Sequence, residues 1–272
     1  MDYIVSKFYM STLGNRVGSE AVMLDFIRVP LVVLMFLYGS YKDIKTREIS
    51  DFVWIIFGSI AVVLDVYELL VGSLDLVTLL VSVAFSVVFG LLTGYLGLFG
   101  EADALALVAL ALLSPVPPVF FTGGGFQPIL MPLSVLSNSV LMAASLAIVV
   151  LGMNTLDGGK DLFAGYGSVG WFTKIVLLFT GRRARLDKIR GPPYEYPLEK
   201  ISDGVVSLTL RPDISDDEKA VTILRKLKDN GREYVWVSYS IPFIVALLLG
   251  YLVTVFYGDI VLTMLWSYFR VF

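Results

Sequence analysis

The chain has 272 residues, of which 57% are hydrophobic and only 17% are charged, and its mean hydropathy is +0.79. A soluble domain needs more polar surface than this composition provides, so the lipid bilayer is the expected solvent. The formal charge of −3 gives no reason to expect nucleic acid as a partner. Because the chain has neither cysteine nor histidine, serine–histidine proteases and H-E-x-x-H zinc proteases are excluded. No metal and no cofactor are expected.

Six apolar runs predict six transmembrane helices, since crossing about 30 Å of hydrocarbon takes about 20 helical residues. The N-terminus lacks the pattern of a cleavable signal peptide, so we expect the first apolar run to stay in the mature protein. The uncharged run over 104–156 is divided by prolines and glycines into a hairpin of two helices. The predicted spans are about residues 26–41, 52–71, 76–96, 102–120, 130–151 and a sixth within 234–258, followed by a short tail over 260–272.

Residues 182–233 have a composition that belongs in water, because they hold more than half of the 21 basic residues of the chain. A helix is predicted from about Asp216 to Asp229, and strands are predicted over 205–210 and 233–237. The helix signals are a capping box of Ser215 and Glu218, an apolar stripe of Val221, Leu224 and Leu227, and Gly231 as the stop.

The predicted fold class is an α-helical integral membrane protein with six transmembrane helices and a small α+β cytoplasmic domain inserted before the last helix. Helices one to five occupy residues 1–181, the domain occupies 182–233, and the sixth helix and the tail occupy 234–272. The orientation follows from basic residues in the loops, such as Lys42, Lys45 and Arg47 after the first span. We therefore expect this loop and the domain inside the cell, and the N-terminus outside.

Two acids are predicted at the cytoplasmic membrane margin, Asp43 at the end of the first span and Asp103 at the start of the fourth. An aspartyl peptidase needs such a pair, with one carboxylate ionised to take a proton from water and the other protonated to polarise the scissile carbonyl. Gly100 would let a substrate backbone approach Asp103 closely, and Glu101 and Glu48 would attract basic residues of a substrate. A non-catalytic interpretation stays open, in which Asp43 is a solvated loop charge and Asp103 belongs to a helix cap.

Two short runs resemble the catalytic segments of the type IV prepilin peptidase family of GxGD intramembrane aspartyl proteases. The run D-I-K-T-R-E-I-S over 43–50 is similar to the first segment, an aspartate followed by basic residues and an isoleucine before a turn. The run G-E-A-D-A-L over 100–105 is similar to the G-x-G-D element, with Ala102 where the family usually has glycine. The layout of spans is most similar to the archaeal branch, the preflagellin (prearchaellin) peptidases.

This resemblance implies an endopeptidase that removes a short basic leader from preflagellin or prepilin-like precursors at the cytoplasmic membrane face. Asp43 and Asp103 would form the catalytic dyad, and the partners would be the precursor and the lipid bilayer. The chain lacks the tetracysteine, N-methylating part of the bacterial enzymes, which implies that it has no methyltransferase activity.

Three other functions stay open at this point. A presenilin-like protease would place its first aspartate inside a helix, whereas Asp43 is predicted in a basic loop. A proton-coupled transporter would place its carboxylates near the middle of the bilayer. A membrane scaffold would work only through residues 182–233.

Overall fold

The computed structural model describes residues 19–96, 100–120, 123–157, 162–166, 169–202, 205–210, 212–213, 216–239 and 242–271. Its helices are α1 (Ser19–Lys45), α2 (Asp51–Val71), α3 (Leu76–Tyr95), α4 (Glu101–Leu113), α5 (Met131–Asp157), α6 (Trp171–Thr180), α7 (Asp217–Asp229), α8 (Phe243–Phe256) and α9 (Ile260–Val271). Its strands are β1 (Gly181–Arg185), β2 (Glu195–Pro197), β3 (Glu199–Ser202), β4 (Val205–Leu208) and β5 (Tyr234–Tyr239). The described residues form two compact units, one within 1–142 and 242–272 and the other within 143–241.

Within the described part of the chain, α1, α2, α3 and α5 are long and apolar enough to cross a membrane. Their boundaries follow from local signals in the sequence. Gly72 ends α2 in the left-handed conformation with φ of 74°, which a residue without Cβ adopts at little cost. Asp75 then caps α3, because its carboxylate accepts a hydrogen bond from the Thr78 backbone N–H at 2.9 Å.

Helix α4 is shorter than the predicted fourth span over 102–120. It has 13 residues, about 20 Å of helix, and it ends at Leu113. The sequence Ser114-Pro115-Val116-Pro117-Pro118 follows, and proline cannot continue a helix because it lacks the backbone N–H and clashes with the preceding turn. These five residues are all buried in protein.

The predicted sixth span over 234–258 contains two elements. Its first residues form strand β5, as the predicted strand over 233–237 indicates, and only Phe243–Phe256 is helical. Helix α8 has 14 residues, and Gly258 with φ of 111° separates it from α9. The six predicted spans thus correspond to four long helices and two short ones in the described residues.

The core of the first unit is formed by buried apolar side chains from α1, α2, α4, the start of α5 and α8. The largest of these include Phe36, Trp54, Leu107, Met131 and Tyr251. Two close approaches need a small residue. A Cβ on Gly39 of α1 would lie 3.0 Å from Ile244 of α8, and a Cβ on Gly90 of α3 would lie 3.0 Å from the Cβ of Ala104 of α4. These contacts fix α1 against α8 and α3 against α4.

The second unit contains a three-stranded antiparallel sheet with the strand order β1-β5-β2 and a β3–β4 hairpin. Side chains of β5 alternate between the two faces of the sheet, as a strand requires. Trp236 is fully buried on one face with Leu177 of α6, and Val235 and Val237 are fully buried on the other face with Leu227 of α7. The small α+β domain expected from the sequence is therefore present, and β1 and β5 extend it on both sides of residues 182–233.

Helix α7 begins one residue later than predicted, and its cap differs from the predicted one. Asp216 is the N-cap, and its carboxylate accepts a hydrogen bond from the Lys219 backbone N–H at 2.8 Å; Ser215 lies outside the described residues. Leu227 is buried as expected, whereas Val221 is 43% exposed and Ala220 is buried in its place. The predicted apolar stripe is thus wrong at its first residue.

Candidate active site

Asp43 lies in the last turn of α1, because the helix continues to Lys45, beyond the predicted end of the first span at about Tyr41. Its predicted position in a loop is therefore wrong, and the predicted difference from a presenilin-like protease is absent. The Asp43 carboxylate accepts from two donors. The Arg47 Nη1 atom lies 3.4 Å from Asp43 Oδ1, and these side chains are only 11% and 14% exposed, respectively. A backbone hydrogen bond from Ile244, in the first turn of α8, reaches the same carboxylate. A helix N-terminus is a favourable place for an anion, because its first N–H groups have no partner within the helix. Asp43 is therefore in a site suited to an ionised carboxylate.

The loop after α1 turns the Arg47 side chain back towards Asp43. Arg47 has a φ of 58°, in the left-handed region that costs a residue with a Cβ about 1–2 kcal/mol. The turn is supported by the Thr46 side chain, whose hydroxyl oxygen lies 3.0 Å from the Lys42 carbonyl oxygen and 3.1 Å from that of Glu48. Sequence reasoning treated Arg47 only as one of several loop cations. Its spacing of four residues after Asp43 is the signal that indicates the pair.

Asp103 lies in the first turn of α4 and closes that turn. Its Oδ2 atom accepts a hydrogen bond from the Gly100 backbone N–H at 3.1 Å, and Gly100 is the N-cap residue of the helix. The helix-cap role considered for Asp103 from the sequence is thus present. It does not exclude chemistry, because an ionised carboxylate has about four sites that accept hydrogen bonds.

The structure brings Asp43 and Asp103 together at one end of the first unit. The Asp103 carboxylate interacts electrostatically with Asp43 and with Arg47. The two acids are separated by 60 positions in sequence and come from the C-terminal end of α1 and the N-terminal end of α4. The two half-buried carboxylates have different partners, a guanidinium for Asp43 and a backbone N–H for Asp103, and such a difference suits an acid–base pair.

The two glutamates proposed to bind substrate are exposed, and Glu101 lies on a different face of α4 from Asp103. Glu101 precedes Asp103 by two residues, which rotates its side chain by about 200° around the helix. It lines a cleft between α3 and α4 together with Gly100. Glu48 lies in the loop after α1, one residue beyond Arg47. Within the described residues, no group of three or more histidine, cysteine, aspartate or glutamate side chains is placed to hold a metal ion.

A second set of charged residues is buried in the first unit, far along α1 from Asp43. The Arg28 Nη2 atom lies 2.7 Å from Asp65 Oδ1 and 2.8 Å from Glu68 Oε2, and its Nη1 atom donates to the carbonyl oxygens of Leu112 and Leu113. Arg28, Asp65 and Glu68 are each at most 3% exposed. Asp65 and Glu68 lie in the last two turns of α2. Their burial against Arg28 was not foreseen.

Arg28 thereby connects three helices. It lies on α1, it pairs with two carboxylates of α2, and it caps the C-terminal carbonyls of α4, where the helix dipole favours a cation. Asp25, one turn earlier on α1, accepts a hydrogen bond from the Val119 backbone N–H at 2.6 Å. These bonds hold the short helix that carries Asp103 at its opposite end.

Comparison with known proteins gives consistent matches. Residues 173–260 match the family model described as Archaeal Peptidase A24 C-terminus Type II. The preflagellin peptidase of Methanococcus voltae is 27% identical over 244 residues, which cover 86% of this chain and 96% of that protein. The preflagellin peptidases of Methanococcus maripaludis and Methanocaldococcus jannaschii are each 24% identical, over 89% and 91% of this chain and 99% of each relative. With these matches along nearly its whole length, the chain is similar to archaeal preflagellin peptidases.

Proposed function

We propose that this chain is a membrane aspartyl endopeptidase that removes a short basic leader from preflagellin or prepilin-like precursors at the cytoplasmic membrane face. The observation that carries this proposal is the convergence of Asp43 and Asp103 beside Arg47. The curated relatives, all named preflagellin peptidases, support the substrate class.

The contacts of the two acids suggest a different role for each. Asp43, with the Arg47 guanidinium and the Ile244 N–H as partners, is the ionised carboxylate that takes a proton from the attacking water. Asp103 carries a proton and donates a hydrogen bond to the scissile carbonyl oxygen. The water oxygen forms the new bond to the carbonyl carbon, and the C–N bond breaks as the leaving nitrogen receives the proton that Asp43 took from water.

The proposed topology has six spans, with α4 and α8 as the two short ones. Irregular backbone is tolerated at membrane depth when it is buried in protein. The buried segment over 114–118 meets this condition and can complete the fourth span. Loop charge then puts the active site and residues 182–233 in the cytoplasm and the N-terminus outside.

The test of this function is cleavage by the purified full-length chain in detergent. Synthetic precursors with a basic leader are incubated with the protein, and the new N-terminus is identified by mass spectrometry. We expect one cut after the leader, unaffected by a metal chelator, because the mechanism uses two carboxylates and water. Absence of cleavage with every leader sequence, or loss of cleavage with the chelator, would contradict the proposal.

A proton-coupled transporter is the second candidate, and the buried Arg28, Asp65 and Glu68 cluster is the observation that favours it. Ionisable residues inside a membrane protein often mark a proton path. In this structure, however, the guanidinium pairs with both carboxylates and caps α4, which suits a fixed structural role. Proton flux in liposomes that depends on Asp65 would favour transport.

A further inference from the structure

Helix α4 forms the floor of an apolar groove between α2 and α3. One cleft, of about 490 Å³, lies between α2 and α4, and a second, of about 660 Å³, lies between α3 and α4. Leu105 and Val108 line both clefts, so the two adjoin along the outward face of α4. We call this surface the α4 groove. It lies on the opposite side of α4 from Asp103.

The two ends of the groove differ in charge. At the end nearest Asp103, Glu101 lines the α3 side and Asp51 lines the α2 side, and both are exposed. Further along, the lining is apolar or small, and among the described residues no lysine or arginine lines either cleft. A ligand that complements this surface is an apolar helix with basic residues at the end that reaches the two acids.

The α3 wall of the groove is open to close approach by another helix. Ser86, Gly90 and Gly94 follow one another at four-residue spacing, which places them on one face of α3. The space beside Gly90 is filled by Ala104 of α4, whereas a Cβ added to Gly94 would have no atom within 4 Å. Gly100, at the N-terminus of α4, lies between this wall and the Asp103 carboxylate that it contacts.

We propose that the α4 groove binds an apolar helical segment of the precursor next to the scissile bond, with the basic leader held at Glu101 and Asp51, because such a segment complements the groove. The chain of the substrate would then pass over Gly100 to reach Asp43 and Asp103. This inference rests on the proposed peptidase function and assigns the part of the substrate that the membrane-facing surface recognises. It makes the groove a determinant of KM, separate from the catalytic acids.

The first test fills the groove at Gly94 and uses two substrates. Gly94→Leu adds an apolar side chain into open space, and Gly152→Leu is the matched control, because Gly152 is also helical and also has no atom near an added Cβ. We expect Gly94→Leu to raise KM about tenfold or more for a precursor that contains the apolar helix. With a peptide that has only the leader and the scissile bond, the ratio of the variant's KM to the wild-type KM should be smaller than with this precursor.

The second test measures binding without cleavage. A photo-crosslinking residue replaces Leu91, which lines the groove, in the Asp103→Asn background, and the control position is Ile148 on α5. Crosslinking of the long precursor from position 91 but not from position 148 supports the proposal, even if no leader is ever cleaved. No crosslink at position 91, or an unchanged KM for Gly94→Leu, overturns the proposal and indicates that the groove contacts only lipid.

Discussion

Replacing Arg28 by glutamine removes the guanidinium that pairs with Asp65 and Glu68 and caps α4. Breaking a buried ion pair by removal of one partner costs about 3–5 kcal/mol, because a charge stays buried without its counter-ion. The Leu112 and Leu113 carbonyls also lose their donor, and a buried unsatisfied acceptor costs about 1–3 kcal/mol. These terms are comparable to the whole stability of an ordinary domain, about 5–15 kcal/mol.

The assay is thermal unfolding of the purified chain in detergent, followed by leader cleavage at a temperature where the variant is still folded. We expect Arg28→Gln to lower the unfolding midpoint by at least about 5 °C. Cleavage should also fall, because α4 carries Asp103. Adding Asp65→Asn and Glu68→Gln should recover part of the lost stability, since the two carboxylates are then neutral.

Arg185→Gln is the control, because Arg185 forms an ion pair with Asp187 in which both side chains are more than half exposed. Its unfolding midpoint should equal that of the wild type, as expected for a solvated pair. Equal midpoints for Arg28→Gln and Arg185→Gln would refute the structural role assigned to the buried cluster.

Three further predictions concern the domain, the leader and the topology. Burial raises the pKa of Glu199 above its ordinary 4.5, so its contribution to the stability of the folded chain is lost as the pH rises above that value. Glu199→Gln should therefore remove this decline of the unfolding midpoint with pH, whereas the control Glu233→Gln, at an exposed position, should keep it. Glu101→Gln should couple to replacement of the basic residues of the leader by about 0.2–1 kcal/mol in a double-mutant cycle on KM, and additive effects would exclude that contact. Single cysteines at Lys45 and Glu101 should label from the cytoplasmic side and one at Val71 from the outside; labelling of the first two from opposite sides would exclude a shared site.

The Glu199 substitution is informative because of how that side chain is bonded. Its hydrogen bonds from the Tyr166 hydroxyl, at 2.5 Å, and from the Trp236 backbone N–H, at 2.7 Å, reach the same oxygen, Oε1. Glutamine can keep both bonds through its amide oxygen, places its NH2 group where Oε2 lies, and does not titrate. A pH dependence that persists in Glu199→Gln would show that another group causes it.

The helices with sharp local boundaries were predictable from the sequence. The second and third spans, predicted at 52–71 and 76–96, are observed as Asp51–Val71 and Leu76–Tyr95, because Gly72 and Asp75 fix the turn between them. The short length of α4 was not predicted, because the sequence stays apolar through 114–120 whereas the prolines there end the helix.

The site was predictable only in part. The two acids were found through their resemblance to a family and their matching positions at span ends, and the structure places them close enough to interact. The opposite directions of Glu101 and Asp103 follow from helical spacing alone. The Arg28 cluster depends on how α1, α2 and α4 rotate against one another, and the Ile244 bond to Asp43 depends on where α8 begins. Such contacts between distant segments have no signal in one sequence.

The central claim is that Asp43 and Asp103 form one catalytic pair, and cleavage of a single precursor by two isosteric variants tests it most directly. Asp43→Asn and Asp103→Asn keep the size of each side chain but cannot exchange the proton that the mechanism needs. Asp213→Asn is the control, because Asp213 pairs with Lys219 on the exposed side of the domain. We predict that both dyad variants insert and unfold like the wild type yet cleave no leader, while Asp213→Asn stays active. Substantial cleavage by either dyad variant would contradict the claim.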